Sequence, residues 1–165
     1  MPLIVEDGSY VTISNTYIDQ DFADTYFEDR NNSTWAAATD ETKERAILYA
    51  GQYLNSLNWK GYKMQYKQPM AWPRAGCYDE DGRLIAYNII LSRVKYAQCE
   101  AALRELTEGT LQPDLTNANY VKRTKVDILE KEYFSGAPAR TMFPMVKGYL
   151  KGLIFGGNSW DLIRS

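Results

Sequence analysis

The sequence predicts a mainly α-helical fold, a small bundle of about four helices with a long ordered central loop and an extended β-arm or hairpin. Three observations carry this. Apolar residues recur at helical spacing in four segments. The stretch from Trp59 to Gly82, WKGYKMQYKQPMAWPRAGCYDEDG, is broken by Pro69 and Pro73 yet is too aromatic for a slack linker. Residues 121–134, VKRTKVDILEKEYF, are β-branched and partly alternating. The 165 residues amount to about one domain, enough for a core without staples.

Residues 1–13 read as an extended lead. Ser14 or Asn15 is the expected cap of a first helix reaching about Arg30, with Ile18, Phe22, Tyr26 and Phe27 on one face. Asn31, Asn32 and Ser33 end it, and Trp35 opens a short connection. Thr39 is a good cap for a second helix from Asp40 to about Leu57, whose first-turn acids suit the helix dipole. There Ala46, Ile47, Ala50, Tyr53, Leu54 and Leu57 make the clearest amphipathic pattern in the chain. A third helix is expected from Ile89 to about Glu108, with Ile90, Val94, Ala97 and Ala101 on one stripe and Gly109 as its stop. Its alanines would admit a close neighbouring helix. In the arm, Val126 and Ile128 are expected on one face and Asp127, Leu129, Lys131 and Tyr133 on the other. A last helix is expected from Thr141 to Ile154, with Pro144 tolerated only in its first turn. Gly156-Gly157 then hinge a tail carrying Trp160, Leu162 and Ile163. The expected domains are a helical domain, 1–155, and a docking tail, 156–165.

Composition narrows the function classes. Nineteen basic residues face 21 acidic ones, so no whole-molecule field draws the chain to nucleic acid or an anionic membrane. The absence of histidine removes the commonest general base, the commonest metal ligand and every His-containing triad. Cys77 and Cys99 lack metal-ligand spacing and are expected to be two reduced thiols, with a single disulfide as the alternative. The lead has no basic region followed by an apolar run, as a signal peptide would, and no apolar stretch approaches about 18 residues. Thirteen tyrosines and four tryptophans suit either an aromatic core or wet protein–protein contacts.

No catalytic, cofactor-binding or metal-ligating residue can be nominated. Read as a calcium loop, Asp79–Gly82 would need Cys77 as its first ligand and Asn88 as its last, so a tight turn is expected. Acidic residues are scattered over helix faces, and no nucleophile has a partner base. The chain is therefore expected not to be an enzyme and to need no cofactor. One binding pattern remains. Lys60, Lys63 and Lys67 alternate with Trp59, Tyr62 and Tyr66, as in single-strand binders that hold phosphates on cations and stack bases on rings. The bland alternative, aromatics anchoring the loop while the lysines are solvated, is preferred because three lysines leave a small electrostatic footprint. Lys122, Arg123 and Lys125 form a second small basic cluster under the same reservation.

Seven motifs in register carry a resemblance. They are the IVEDG lead at Ile4–Gly8, Tyr26-Phe27 followed by Trp35, AWPR-x-G at Ala71–Gly76, the turn at Asp79–Gly82, RVKYAQCEAAL at Arg93–Leu103, VKR-x-KV at Val121–Val126, and GAPART at Gly136–Thr141. Over about residues 4–153 the chain resembles a phage family often labelled DnaT-like single-stranded-DNA-binding, whose company looks like the head–tail connector, or adaptor, proteins of tailed phages. Relatives often carry Pro before the third helix, where this chain has Leu91-Ser92. The resemblance implies a structural virion protein made in the host cytoplasm. It would form a ring of copies, typically twelvefold, between the portal protein and a downstream tail or stopper protein, with no membrane partner. Genomic DNA would pass through its channel without being read. On that reading Trp160, Leu162 and Ile163 dock on the portal or a neighbour. Val126, Ile128, Leu129 and Tyr133 form an inter-subunit arm, and Trp59, Trp72 and Arg74 anchor the loop and share in the subunit contact. The alternative function is a single-stranded-DNA-binding replication accessory protein, contacting DNA through Lys60, Lys63 and Lys67.

Overall fold

Five helices and one two-stranded antiparallel sheet form among the residues that the computed structural model describes: 2–109, 111, 123–126, 129–132 and 143–155. The fold is mainly α with a small hairpin, as the periodicity and the alternating arm predict. The chain divides into two compact units, Met1–Leu111 with Pro144–Ser165, and Gln112–Phe143.

In the first unit, α1 spans Gln20–Glu28, α2 Ser33–Ala36, α3 Asp40–Asn55, α4 Ser92–Glu108 and α5 Pro144–Tyr149. α1 begins later than its sequence suggests. Its cap is Asp19, whose carboxylate accepts from the Phe22 amide at 2.8 Å. The two expected caps are used elsewhere: the Ser14 hydroxyl donates to the Glu6 carboxylate, and the Asn15 amide group holds Ile4 and Pro2. Long-range partners have outcompeted local capping. Trp35, expected in a connection, lies in the one-turn helix α2, capped by Asn32. α3 starts behind Thr39 as expected, because its hydroxyl accepts from the Thr42 amide.

The lead is not simply extended. Glu6 is buried, and its Oε1 accepts from the amides of Gly8 and Tyr10, both at 2.9 Å. Gly8 sits at φ +105°, and a Cβ there would come within 2.1 Å of the Asn88 carbonyl oxygen. Tyr10 donates to the carbonyl of Tyr87 at 3.0 Å. The lead is thereby pressed against the segment that precedes α4.

α3 and α4 form the main packed pair. α3 buries Ala46, Ile47, Ala50 and Leu54; α4 buries Val94, Ala97, Cys99, Ala101 and Ala102. α4 starts at Ser92 rather than Ile89, and Leu91, its N-cap residue, makes no side-chain cap. Trp72 Nε1 takes the Ile89 carbonyl at 2.8 Å, which holds that residue to the loop. Gly109 closes α4 in the left-handed conformation, φ +75°. Gln98, fully buried on α4, ties three elements together. Its Oε1 accepts from the Tyr17 amide at 2.9 Å, and its Nε2 donates to the Thr16 hydroxyl (2.7 Å) and to the Ile47 carbonyl on α3 (2.9 Å).

α5 packs on α4 and is shorter than the 141–154 expected. Pro144 stands at its first position, where a missing amide costs nothing. Beyond Tyr149 the chain leaves the helix, with Gly152 at φ +82° and the Leu153 carbonyl accepting from the Lys60 amide at 2.8 Å. Val146, Leu150 and Leu153 remain buried. Thr141 and Met142 lie outside the described residues.

In the second unit, β1 (Arg123–Val126) pairs with β2 (Leu129–Glu132), placing Val126 opposite Leu129 and Lys125 opposite Glu130. The arm therefore doubles back as a pair of strands rather than running on as one. Ile128 and Tyr133 lie outside the described residues, as do the tail residues Trp160, Leu162 and Ile163. Among the described residues no helix is long and apolar enough to cross a membrane.

Candidate functional site

The central loop between α3 and α4 is a stapled structure. Trp59 and Trp72 are both buried, with ring centroids 5.6 Å apart. Trp59 donates to the Leu54 carbonyl at the end of α3 (2.8 Å), and the Trp72 amide donates to the Tyr17 hydroxyl (2.9 Å). Burial drives the Tyr17 hydroxyl well above its ordinary pKa, so it stays a neutral partner. Arg74 is spent on backbone: its Nε donates to the Lys60 carbonyl (2.7 Å) and its Nη2 to the Gly61 carbonyl (2.8 Å). Tyr62 and Ala75 exchange both amide bonds, at 3.0 and 2.9 Å. At Gly61, φ +69°, a Cβ would come within 2.2 Å of the Ala75 carbonyl oxygen, so the two arms close only over a glycine. The acidic segment folds as a turn, Asp79 Oδ1 accepting from the amides of Asp81 and Arg83. No group of residues suited to hold a metal ion occurs among the described residues. Cys77 and Cys99 are free, buried thiols, both shifted upward in pKa by burial.

The three lysines are placed unequally. Lys63 Nζ donates to the Gln68 carbonyl at 2.9 Å, and its pKa is lowered by burial and by nearby Arg74. Lys60 Nζ lies 5.9 Å from the centre of the Phe155 ring. Lys67 is exposed. Of the aromatics that alternate with them, Trp59 is internal, whereas Tyr62 is 63% and Tyr66 100% exposed. Tyr78 and Tyr87 are also exposed on this loop.

A second feature has no local signature in the sequence. α1, α2 and the start of α3 enclose an open cleft of about 370 Å³, lined by Asp24, Glu28, Asn31, Asn32, Trp35 and Lys43 among others. Asp24 organises it, accepting from Trp35 Nε1 (2.7 Å) and from Lys43 Nζ (2.9 Å). Partial burial raises the Asp24 pKa; hydrogen bonds from Lys43 and Trp35, with the Lys43 charge, outweigh it and hold the carboxyl below its ordinary 3.8. A depressed folded pKa means that Asp24 stabilises the fold above its unfolded value, an increment lost as pH falls through the folded value. Between about pH 5 and pH 2 the wild type should therefore lose more stability than Asp24→Asn. Urea midpoints measured against pH check this, and parallel curves for the two proteins would refute it.

These features define a helical unit with a hydrogen-bonded, aromatic loop, and a two-stranded hairpin. Residues 1–164 match the model of the family described as "Putative DnaT-like ssDNA binding protein", and the chain belongs to that family. No curated protein and no solved structure matches it.

Proposed function

We propose that the protein is a structural, non-enzymatic assembly subunit, a head–tail connector of a tailed phage, which rings the portal with copies of itself and lets DNA pass unread. The observation that carries this reading is the hairpin: among the described residues β1 and β2 pair only with each other. A two-stranded hairpin is marginal alone, and its open edges invite strand addition from a neighbouring subunit. The stapled loop supports the same reading, since Arg74 and Lys63 hold backbone carbonyls and Trp59 is buried. The motif resemblance described above supplies the place in the particle, including the portal and a downstream tail or stopper protein as partners.

The family description favours a second reading, single-stranded-DNA binding, with Tyr62 and Tyr66 as exposed stacking rings beside Lys60, Lys63 and Lys67. Quantitative mass spectrometry of purified, tail-bearing virions separates the two. The connector reading expects a fixed ratio near one copy per portal subunit. Absence from the particle, together with salt-sensitive oligonucleotide binding that is lost in a Lys60→Ala, Tyr62→Ala, Lys63→Ala variant, would establish the second.

A further inference from the structure

The charges of the helical unit are strongly segregated. Residues 19–44, which include the cleft's lining, carry eight carboxylates and two cations, Arg30 and Lys43, with Arg45 next in the chain. Both cations are engaged internally, Lys43 with Asp24 and Arg30 with the Tyr26 ring and carbonyl. Residues 59–78 of the loop carry Lys60, Lys63, Lys67 and Arg74 and no carboxylate before Asp79, Glu80 and Asp81; Lys63 and Arg74 hold backbone carbonyls, which leaves Lys60 and Lys67. The two regions sit at opposite ends of α3. Asp40 opens that helix and is bonded to Gln20 of α1, whereas Trp59 is hung on Leu54 near its close. Sixteen residues of helix span about 24 Å, well beyond the screening length of about 8 Å at physiological salt. Within one molecule Glu28 and Lys67 therefore do not screen each other.

We infer that the Asp24–Glu28–Trp35 cleft of one copy receives the Tyr66–Lys67 loop tip of a second copy, head to tail. Tyr66 is wholly exposed next to a cation, and the cleft is large enough for one aromatic side chain, with exposed Glu28 at its lining to meet Lys67. Of the cleft's two lining carboxylates Asp24 is neutralised by Lys43, so exposed Glu28 is the charge it offers a partner, and Lys67 beside the exposed Tyr66 ring is a complementary piece that the chain itself carries. The contact joins two different patches, so it is heterologous and propagates into a ring or a filament according to its rotation. This inference rests on the assembly reading above and names the surfaces through which copies meet.

The test is sedimentation velocity of the full chain across protein concentration and ionic strength, with Glu28→Lys and Lys67→Glu, both at exposed positions. Wild type should self-associate, more weakly as salt rises, and each variant alone should associate at least about tenfold more weakly with an unchanged melting temperature. An equimolar mixture of the variants should recover most of the association, because it contains one wild-type contact and one swapped contact. Tyr66→Ala should weaken association without altering the salt dependence. A protein monomeric at every concentration in low salt, association indifferent to the substitutions, or a mixture that does not recover would overturn the contact. So would a Lys67→Glu variant that loses binding to a labelled oligothymidylate while self-association is unchanged. Failure here with a fixed copy number in virions overturns the contact alone; absence from virions overturns the assembly reading.

Discussion

Trp72→Ala should lower the stability of the isolated protein by about 3–5 kcal/mol, the cost of emptying a buried aromatic site that cannot collapse. Trp72 is fully buried, stacks obliquely on Trp59 and donates its indole N–H to the Ile89 carbonyl. The substitution therefore leaves both a void beneath the loop and an unpartnered carbonyl just before α4. For a chain of this size, 1 kcal/mol moves the melting temperature by about 2–4 °C, so the midpoint should fall by roughly 6–20 °C. Trp72→Phe keeps most of the apolar volume and loses one hydrogen bond, so its cost should stay near about 1–2 kcal/mol. Calorimetry or urea titration of both variants checks the order. A loss below about 1 kcal/mol for the alanine variant would mean that the loop collapses into the space the ring leaves.

Gln98→Leu should be the other severe change, although leucine nearly matches the shape. It removes the acceptor of the Tyr17 amide and the donor to both the Thr16 hydroxyl and the Ile47 carbonyl. Thr16 keeps its bond to the Ile18 carbonyl, and Ile47 lies within the helical ladder of α3. The Tyr17 amide is the group left buried without a partner. Stranding it costs about 1–3 kcal/mol, and losing the other two bonds adds about 0.5–1.5 kcal/mol each, so a total of roughly 2–6 kcal/mol is expected. Hydrogen exchange at Tyr17 should accelerate in the variant by more than at core amides of α3. Uniform acceleration would instead mean that global unfolding alone has changed.

Much of the helical framework is legible in the sequence because its determinants are local. The Thr39 cap, the 3.6-residue pattern of α3 and the Gly109 stop all act within one or two turns, and each is found where expected. The start of α1 is not legible. Ser14 and Asn15 look like caps until Glu6, Ile4 and Pro2, eight to thirteen residues away, claim their side chains. The short α5 fails for a similar reason, since the Leu153 carbonyl pairs with Lys60 across the chain. At the site, Trp59, Trp72 and Arg74 are all named from the sequence as loop anchors, but which backbone carbonyls Arg74 takes, those of Lys60 and Gly61, is set by the folded loop. The cleft is invisible to motif reading. Asp24, Trp35 and Lys43 lie on three helices, and only packing brings them together.

The strap between residues 58–60 and 153–155 has a temporal consequence. Asn58 accepts from Phe155 and Lys60 donates to Leu153, so the loop's first arm is secured by residues synthesised almost a hundred positions later. During translation the chain emerges at about 5–20 residues per second. For several seconds the nascent loop lacks this fastening. A ribosome stalled before Leu153 would hold a chain whose loop is still unlatched from that strap.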